Sequence, residues 1–248
     1  MHRILASVNE LQPDEIRGLY SSFNSSILAL DCGRKCAPHN PTGKPFCCDI
    51  CQAVPAAYRA EREYLLPRTD LWHDWRGDEC GEIDPEERPR LLEDTPDSMV
   101  LLACLGPEHC QRNFRALSCR QFPFFPYVSD DYRFLGLACE WEFETRCWII
   151  SNLSRVSPRY RNEFVETFDG LFALFQDEFE AYACHSERLR AHYHEAGRRF
   201  PLLHRNGHDY LVSPGNGRIR RIDPAGLPSY GPYQGKTAKS HPTTHKRL

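Results

Sequence analysis

The cysteines constrain this chain more than any other feature. Of the 12, eight fall in two short stretches, Cys32-x3-Cys36-x10-Cys47-Cys48-x2-Cys51 and Cys104-x5-Cys110-x8-Cys119. Thiolates gathered this closely are soft ligands for zinc or iron. Each stretch brings several ligands locally, and a fold that closes one stretch on the other completes a shared shell. Neither spacing is that of a zinc finger or a ferredoxin.

The compartment decides between ligation and disulfide pairing. The opening residues, Met-His-Arg-Ile-Leu-Ala-Ser-Val-Asn-Glu, turn polar too soon for a signal peptide. A cytoplasmic location is therefore expected, where clustered cysteines bind metal or act in redox chemistry rather than pair. No apolar run approaches the roughly 18 residues of a membrane span. A net charge of -3 is far from the basic balance of a nucleic-acid binder. The expected partner is thus a metal ion, with neither membrane nor nucleic acid.

Periodicity predicts an α+β fold. Ile16, Leu19, Tyr20, Phe23, Ile27 and Leu30 recur at helical spacing from Pro13 towards Gly33. A second helix is expected around Ala53–Tyr58, with Pro55 in its first turn. Residues 98–103 and a hairpin over 124–137 should form one small antiparallel sheet beside the cysteines. Ser157-Pro158 opens a long amphipathic helix to about Ala196. Its stripe, Phe164, Phe168, Leu171, Phe172, Phe175, Phe179 and Tyr182, is predicted to be core. Residues 210–212 and 218–222 read as a second hairpin around Pro-Gly-Asn-Gly. The expected organisation is one domain over 1–222 and a mobile tail over 223–248.

These residues carry a resemblance to the YkgJ-like cysteine-cluster family, described as a zinc- or iron-chelating domain related to the cysteine-rich part of flagellin lysine N-methylases. That family opens on Cys-x2-Cys-x2-Cys-Cys, and Cys32, Cys36, Cys47 and Cys48 resemble it with a longer first gap and a ten-residue loop in the second. Its later motif is two cysteines followed by Arg-Pro-x-x-Cys-Arg-x-Phe-Pro. Cys104, Cys110, Arg115, Cys119, Arg120, Phe122 and Pro123 match it, with Ala116 in place of the first proline. The resemblance covers roughly residues 30–140 and implies metal ligation. It also implies one downstream cysteine, for which Cys139 is preferred to Cys147.

The metal ligands read from the sequence are therefore Cys32, Cys36, Cys47, Cys48, Cys104, Cys110, Cys119 and Cys139. Adjacent side chains diverge, so Cys47 and Cys48 reach one metal only from irregular backbone. Arg112, Arg115, Arg120, Arg34 and Lys35 would offset thiolate charge, and Phe122 to Pro126 would wall the site. His39 and His109 sit among the cysteines as further candidates, while Cys147 and Cys184 read as packing residues. Zinc is preferred, with iron or an iron–sulfur cluster as the alternative. A metal-binding module is the leading function. An enzyme, such as a protein methyltransferase or a redox protein, is the second reading, and an interaction scaffold with structural zinc the third.

Overall fold

The apolar runs of the middle of the chain become strands buried on both faces, and the rest of the fold is layered on them. A computed structural model describes residues 7–81 and 87–234. In chain order these form α1 (Pro13–Ser22), α2 (Gly33–Cys36), β1 (Ala56–Tyr58), α3 (Arg59–Leu65), β2 (Trp72–Asp74), α4 (Glu87–Glu93), β3 (Met99–Cys104) and α5 (Leu117–Gln121). There follow β4 (Phe124–Val128), β5 (Phe134–Cys139), α6 (Pro158–Leu174), α7 (Gln176–Glu195), β6 (Phe200–His204), β7 (Asp209–Val212) and β8 (Ile219–Arg221). The fold is α+β. Among the described residues no helix is long and apolar enough to cross a membrane.

The strands form two antiparallel sheets rather than the single small sheet expected. One is β1-β3-β2 and the other β4-β5-β6-β7-β8. Residues 98–103 and the 124–137 hairpin therefore belong to different sheets. Residues 53–58 are also not helical. Pro55 leads into β1, whose Ala57 lies opposite Val100, and its own carbonyl accepts from the Leu102 N–H at 2.9 Å.

α1 stops ten residues short of Gly33. The run Ser21-Ser22-Phe23-Asn24-Ser25-Ser26 competes with helical hydrogen bonds. The Ser21 and Ser22 hydroxyls donate back to the Arg17 and Leu19 carbonyls at 2.8 Å each. Beyond Phe23, Glu163 of α6 accepts from the Asn24 N–H at 3.0 Å and the Ser25 N–H at 2.7 Å. Backbone groups that would have continued the helix are satisfied by another element.

The predicted long helix is two helices, broken at Phe175, whose backbone is extended. Strand β4 explains the break. Phe124 packs with Phe164, Phe168 and Leu171 in one core. Its neighbour Phe125 faces the other side and packs with Leu189 and Tyr193. One straight helix cannot cover both faces of a sheet. The aromatic stripe is packed as predicted, with Phe164 and Phe168 fully buried and Phe172, Phe179 and Tyr182 partly so.

Part of the predicted tail also packs. The Tyr230 N–H donates to the Ser151 hydroxyl at 2.7 Å, and the Tyr233 hydroxyl donates to the Arg146 carbonyl at 2.9 Å. Residues 235–248 of that tail lie outside the described residues.

One glycine couples β5 to β6. Gly136 has φ of 142°, and a Cβ there would lie 2.3 Å from the Leu203 carbonyl oxygen. Backbone cannot yield as a flexible side chain does. Gly136→Ala is therefore expected to lower the unfolding free energy by about 1–3 kcal/mol, measured by urea denaturation.

Candidate functional site

Both cysteine stretches converge on one cavity of about 460 Å³. Seven of the eight predicted ligands line it: Cys32, Cys36, Cys47, Cys48, Cys104, Cys110 and Cys119. The eighth, Cys139, does not line it. It is buried in the core behind. The eighth cysteine of the lining is Cys147, which the sequence had placed in the core. Cys147 lies just after a 3-10 turn, Trp141–Phe143, and no motif marks its position. Trp148 and Ile149 beside it also line the cavity.

Short, irregular elements hold these side chains. The Asp31 carboxylate accepts from the Gly33 N–H at 3.0 Å at the start of α2, which carries Cys36. Gly33 begins this helix rather than ending α1, and a Cβ on it would meet Pro45 Cγ at 2.8 Å. Buried Asp49 ties down the loop between Cys36 and Cys47, accepting from Asn40 at 2.8 Å, Thr42 at 2.6 Å and the Cys51 N–H at 3.2 Å. Cys47 and Cys48 sit in a 3-10 turn, Phe46–Cys48, with their sulfurs 3.8 Å apart. β3 delivers Cys104 and α5 delivers Cys119. The Trp72 indole donates to the Phe114 carbonyl at 2.7 Å, fastening the intervening loop to β2.

The cations divide their work. Arg115 Nε donates to Cys110 Sγ at 3.0 Å. Arg120 instead points into backbone, donating to the carbonyls of Arg115, Tyr20, Phe23, Arg112 and Asn113 at 2.6 to 3.2 Å. Arg112 lines the cavity but donates to the Asn24 carbonyl at 2.9 and 2.8 Å. Exposed Arg34 pairs with Asp31 at 3.6 Å. Phe122 and Pro123 form the expected wall, whereas Phe124 and Phe125 turn away into the two cores.

Burial dominates the acidity of the thiols. It pushes Cys32 up to about 11 and Cys147 up to about 12, and raises Cys36, Cys104 and Cys119 as well. Cys48 moves the other way, to about 7, because Cys47 donates a hydrogen bond to its sulfur and the Arg115 cation lies close. The same hydrogen bond raises Cys47. Cys48 is thus the sulfur best able to be a thiolate at neutral pH.

The remaining candidates lie elsewhere. His39 stacks edge-on against Tyr233 at 5.2 Å, and neither it nor His109 lines the cavity. Cys51 and Cys80 form a disulfide, a pairing not expected from the sequence, which removes both from the pool of ligands. Cys184 is exposed. Among the described residues no group of three or more His, Cys, Asp or Glu side chains is gathered tightly enough for a single metal ion. The cavity therefore offers eight soft donors around a space, with no preformed tetrahedron.

Comparison with protein-family models, curated proteins and solved structures finds no match to this chain.

Two outcomes are expected. Arg120→Met strands five carbonyl acceptors and should cost about 3 kcal/mol of stability, read by chemical denaturation. Cys48 should be the fastest-alkylated cavity cysteine at pH 7 in metal-free protein. Arg115→Gln should shift the pH profile of its iodoacetamide labelling upward, measured by mass spectrometry, because the variant loses the cation that favours the thiolate.

Proposed function

We propose that this chain is a metal-binding protein that holds a polynuclear thiolate centre, of iron–sulfur type, in the cysteine-lined cavity. The observation that carries the reading is the convergence of eight thiols from three separate segments on one cavity of about 460 Å³. Unpaired buried cysteines are common, but eight around one space are not explained by packing. The side-chain donors are mostly sulfur, with Asp31 and Ser26 the oxygen-bearing side chains of the lining, and thiolates are the ligands of iron–sulfur clusters. Sulfurs that share one tetrahedral zinc lie about 3.5–4 Å apart, whereas in a cluster with one thiolate per iron they stand further apart. The open arrangement supports the cluster over the single zinc ion preferred from the sequence.

Cys119 is the ligand of choice for the test, being half-buried at the cavity wall on α5. Protein prepared without air should be coloured and carry iron with acid-labile sulfide. Cys119→Ser should lose metal and lower the Tm by about 5 °C or more, because metal binding and folding are linked. Cys184→Ser should keep its metal. Colourless protein holding zinc would replace the cluster with zinc, and equal metal retention in the two variants would overturn the site. Most cavity thiols are raised by burial and must lose protons to bind, so metal affinity should fall as pH drops through about 7, where Cys48 is protonated. A pH series of metal competition measures this.

A further inference from the structure

We infer that a small pocket beside the cysteine cavity binds the oxyanion end of an organic acid on the guanidinium groups of Arg112 and Arg115, while the apolar body of the acid lies in the cavity itself. The inference goes beyond the metal reading and does not depend on it. Three observations carry it.

The first is where the arginines meet. Arg112, Arg115 and Arg120 line a side pocket of about 40 Å³ with Phe23, Asn24 and Ser25. Ile27, Arg112, Arg115 and Cys119 line this pocket and the large cavity alike, so the two spaces adjoin. A water needs about 10–15 Å³ of such space. The side pocket therefore admits a group of a few heavy atoms, such as the oxygens of a carboxylate or a phosphate.

The second is that the charge there is not answered by carboxylates. No Asp or Glu lines the side pocket. Among the described residues, none of the three arginines forms an ion pair with Asp or Glu. Glu163 reaches the same segment, but its oxygens accept from the Asn24 and Ser25 N–H groups, the Ser25 hydroxyl and Arg159. Asp31, the acidic residue of the large cavity, is held by the Gly33 N–H and Arg34. Of the three arginines only Arg115 donates to sulfur, and only through Nε.

The third is which donors are left over. Arg120 is occupied by backbone carbonyls and contributes charge alone. Arg112 gives Nε and Nη2 to the Asn24 carbonyl, which leaves Nη1. Beyond the Nε of Arg115, neither of its terminal nitrogens has a hydrogen-bond partner among the described residues. Guanidinium groups match the paired oxygens of carboxylates and phosphates, and such charge-assisted bonds are strong.

The class of ligand follows from the rest of the cavity. Leu28, Trp72, Phe122, Trp148 and Ile149 give it an apolar wall. Its volume of about 460 Å³ lies within the roughly 300–1,000 Å³ of small-molecule sites, which combine apolar walls with a few placed polar groups. An acid carrying a ring or a chain of several carbons would set its body against this wall and its oxygens on the arginines.

The test is isothermal titration calorimetry of the full chain with 3-phenylpropionate and 2-phenylethyl phosphate. Their uncharged counterparts, 3-phenylpropionamide and 2-phenylethanol, and inorganic phosphate are titrated alongside. At least one acid should bind about tenfold or more tightly than its uncharged counterpart and than inorganic phosphate, and the tighter of the two separates carboxylate from phosphate recognition. Arg112 is the residue to change, being exposed and making no hydrogen bond to sulfur. Arg112→Gln should weaken the binding about tenfold or more. Arg112→Lys keeps the charge but loses the fork and should fall between. No binding of either acid, equal binding of the uncharged compounds, or unchanged affinity in Arg112→Gln would overturn the inference. Inorganic phosphate bound as tightly as both acids would mean an adventitious ion only and would overturn it too. Should Arg112→Gln lose its fold by circular dichroism, the comparison of each acid with its uncharged counterpart on the wild type decides. Metal-free protein that still binds the acid removes the cluster and leaves this site standing, so the two failures are distinct.

Discussion

The buried guanidinium of Arg120 is the constraint on which the cavity depends. A charged group can leave water only if its donors are met, and here they are met by backbone carbonyls of α1 and of the 112–115 loop. Its plane lies 4.2 Å from the Tyr20 ring centroid, adding a cation–π contact. Buried Glu61 stands nearby, accepting from the Tyr20 hydroxyl at 2.6 Å, the Leu117 N–H at 2.7 Å and the Tyr58 N–H at 3.0 Å. Arg120 and Glu61 together lock α1, α3 and α5 into one body. The Tyr160 hydroxyl donates to the carbonyls of Arg120 and Gln121, fixing α6 to the same point. Cys119 is carried between these anchors.

The cavity wall follows from what those anchors leave open. Regular helices and strands would satisfy their own backbone and fill the space with side chains. The walls are built instead from turns and one-turn helices, fastened by Asp31, Asp49 and Arg115. Rigidity around a site of soft donors comes from these outer contacts, as it does in metal sites generally. Thiols clustered away from water resist ionisation, and the Arg115 guanidinium, which touches sulfur at Cys110, lies close to Cys48 as well. Most of the cavity thiols are thus held in the protonated form.

Much of the frame was legible in the chain. The hairpins over 124–137 and 210–222, the Ser157-Pro158 helix start and the buried Phe stripe follow from turn residues and periodicity, which act within a few residues. The misreadings share a different cause. α1 ends where Glu163, far along the chain, captures its backbone, and the last helix breaks because β4 has two faces to cover. Residues 53–58 are apolar and short, and only pairing with β3 makes them a strand. In the site, seven cysteines were recognisable because they are clustered in sequence. Cys147 was not, because it reaches the cavity from a separate loop with no local motif. Cys139, preferred on the strength of a resemblance, is turned into the core by the alternation of β5.

By itself the sequence determined the supply of soft donors, the two segments that carry most of them and the α+β character of the chain, since spacing, composition and local propensity are properties of neighbouring residues. Only the tertiary structure decided that the segments share one cavity and that Arg120 supports backbone while Arg115 meets sulfur. It also paired Cys51 with Cys80 and placed Cys147 rather than Cys139 at the wall. Each of these depends on the direction of a side chain relative to distant elements. That direction is set by packing two sheets and their helices against each other, a constraint that no short stretch of residues contains.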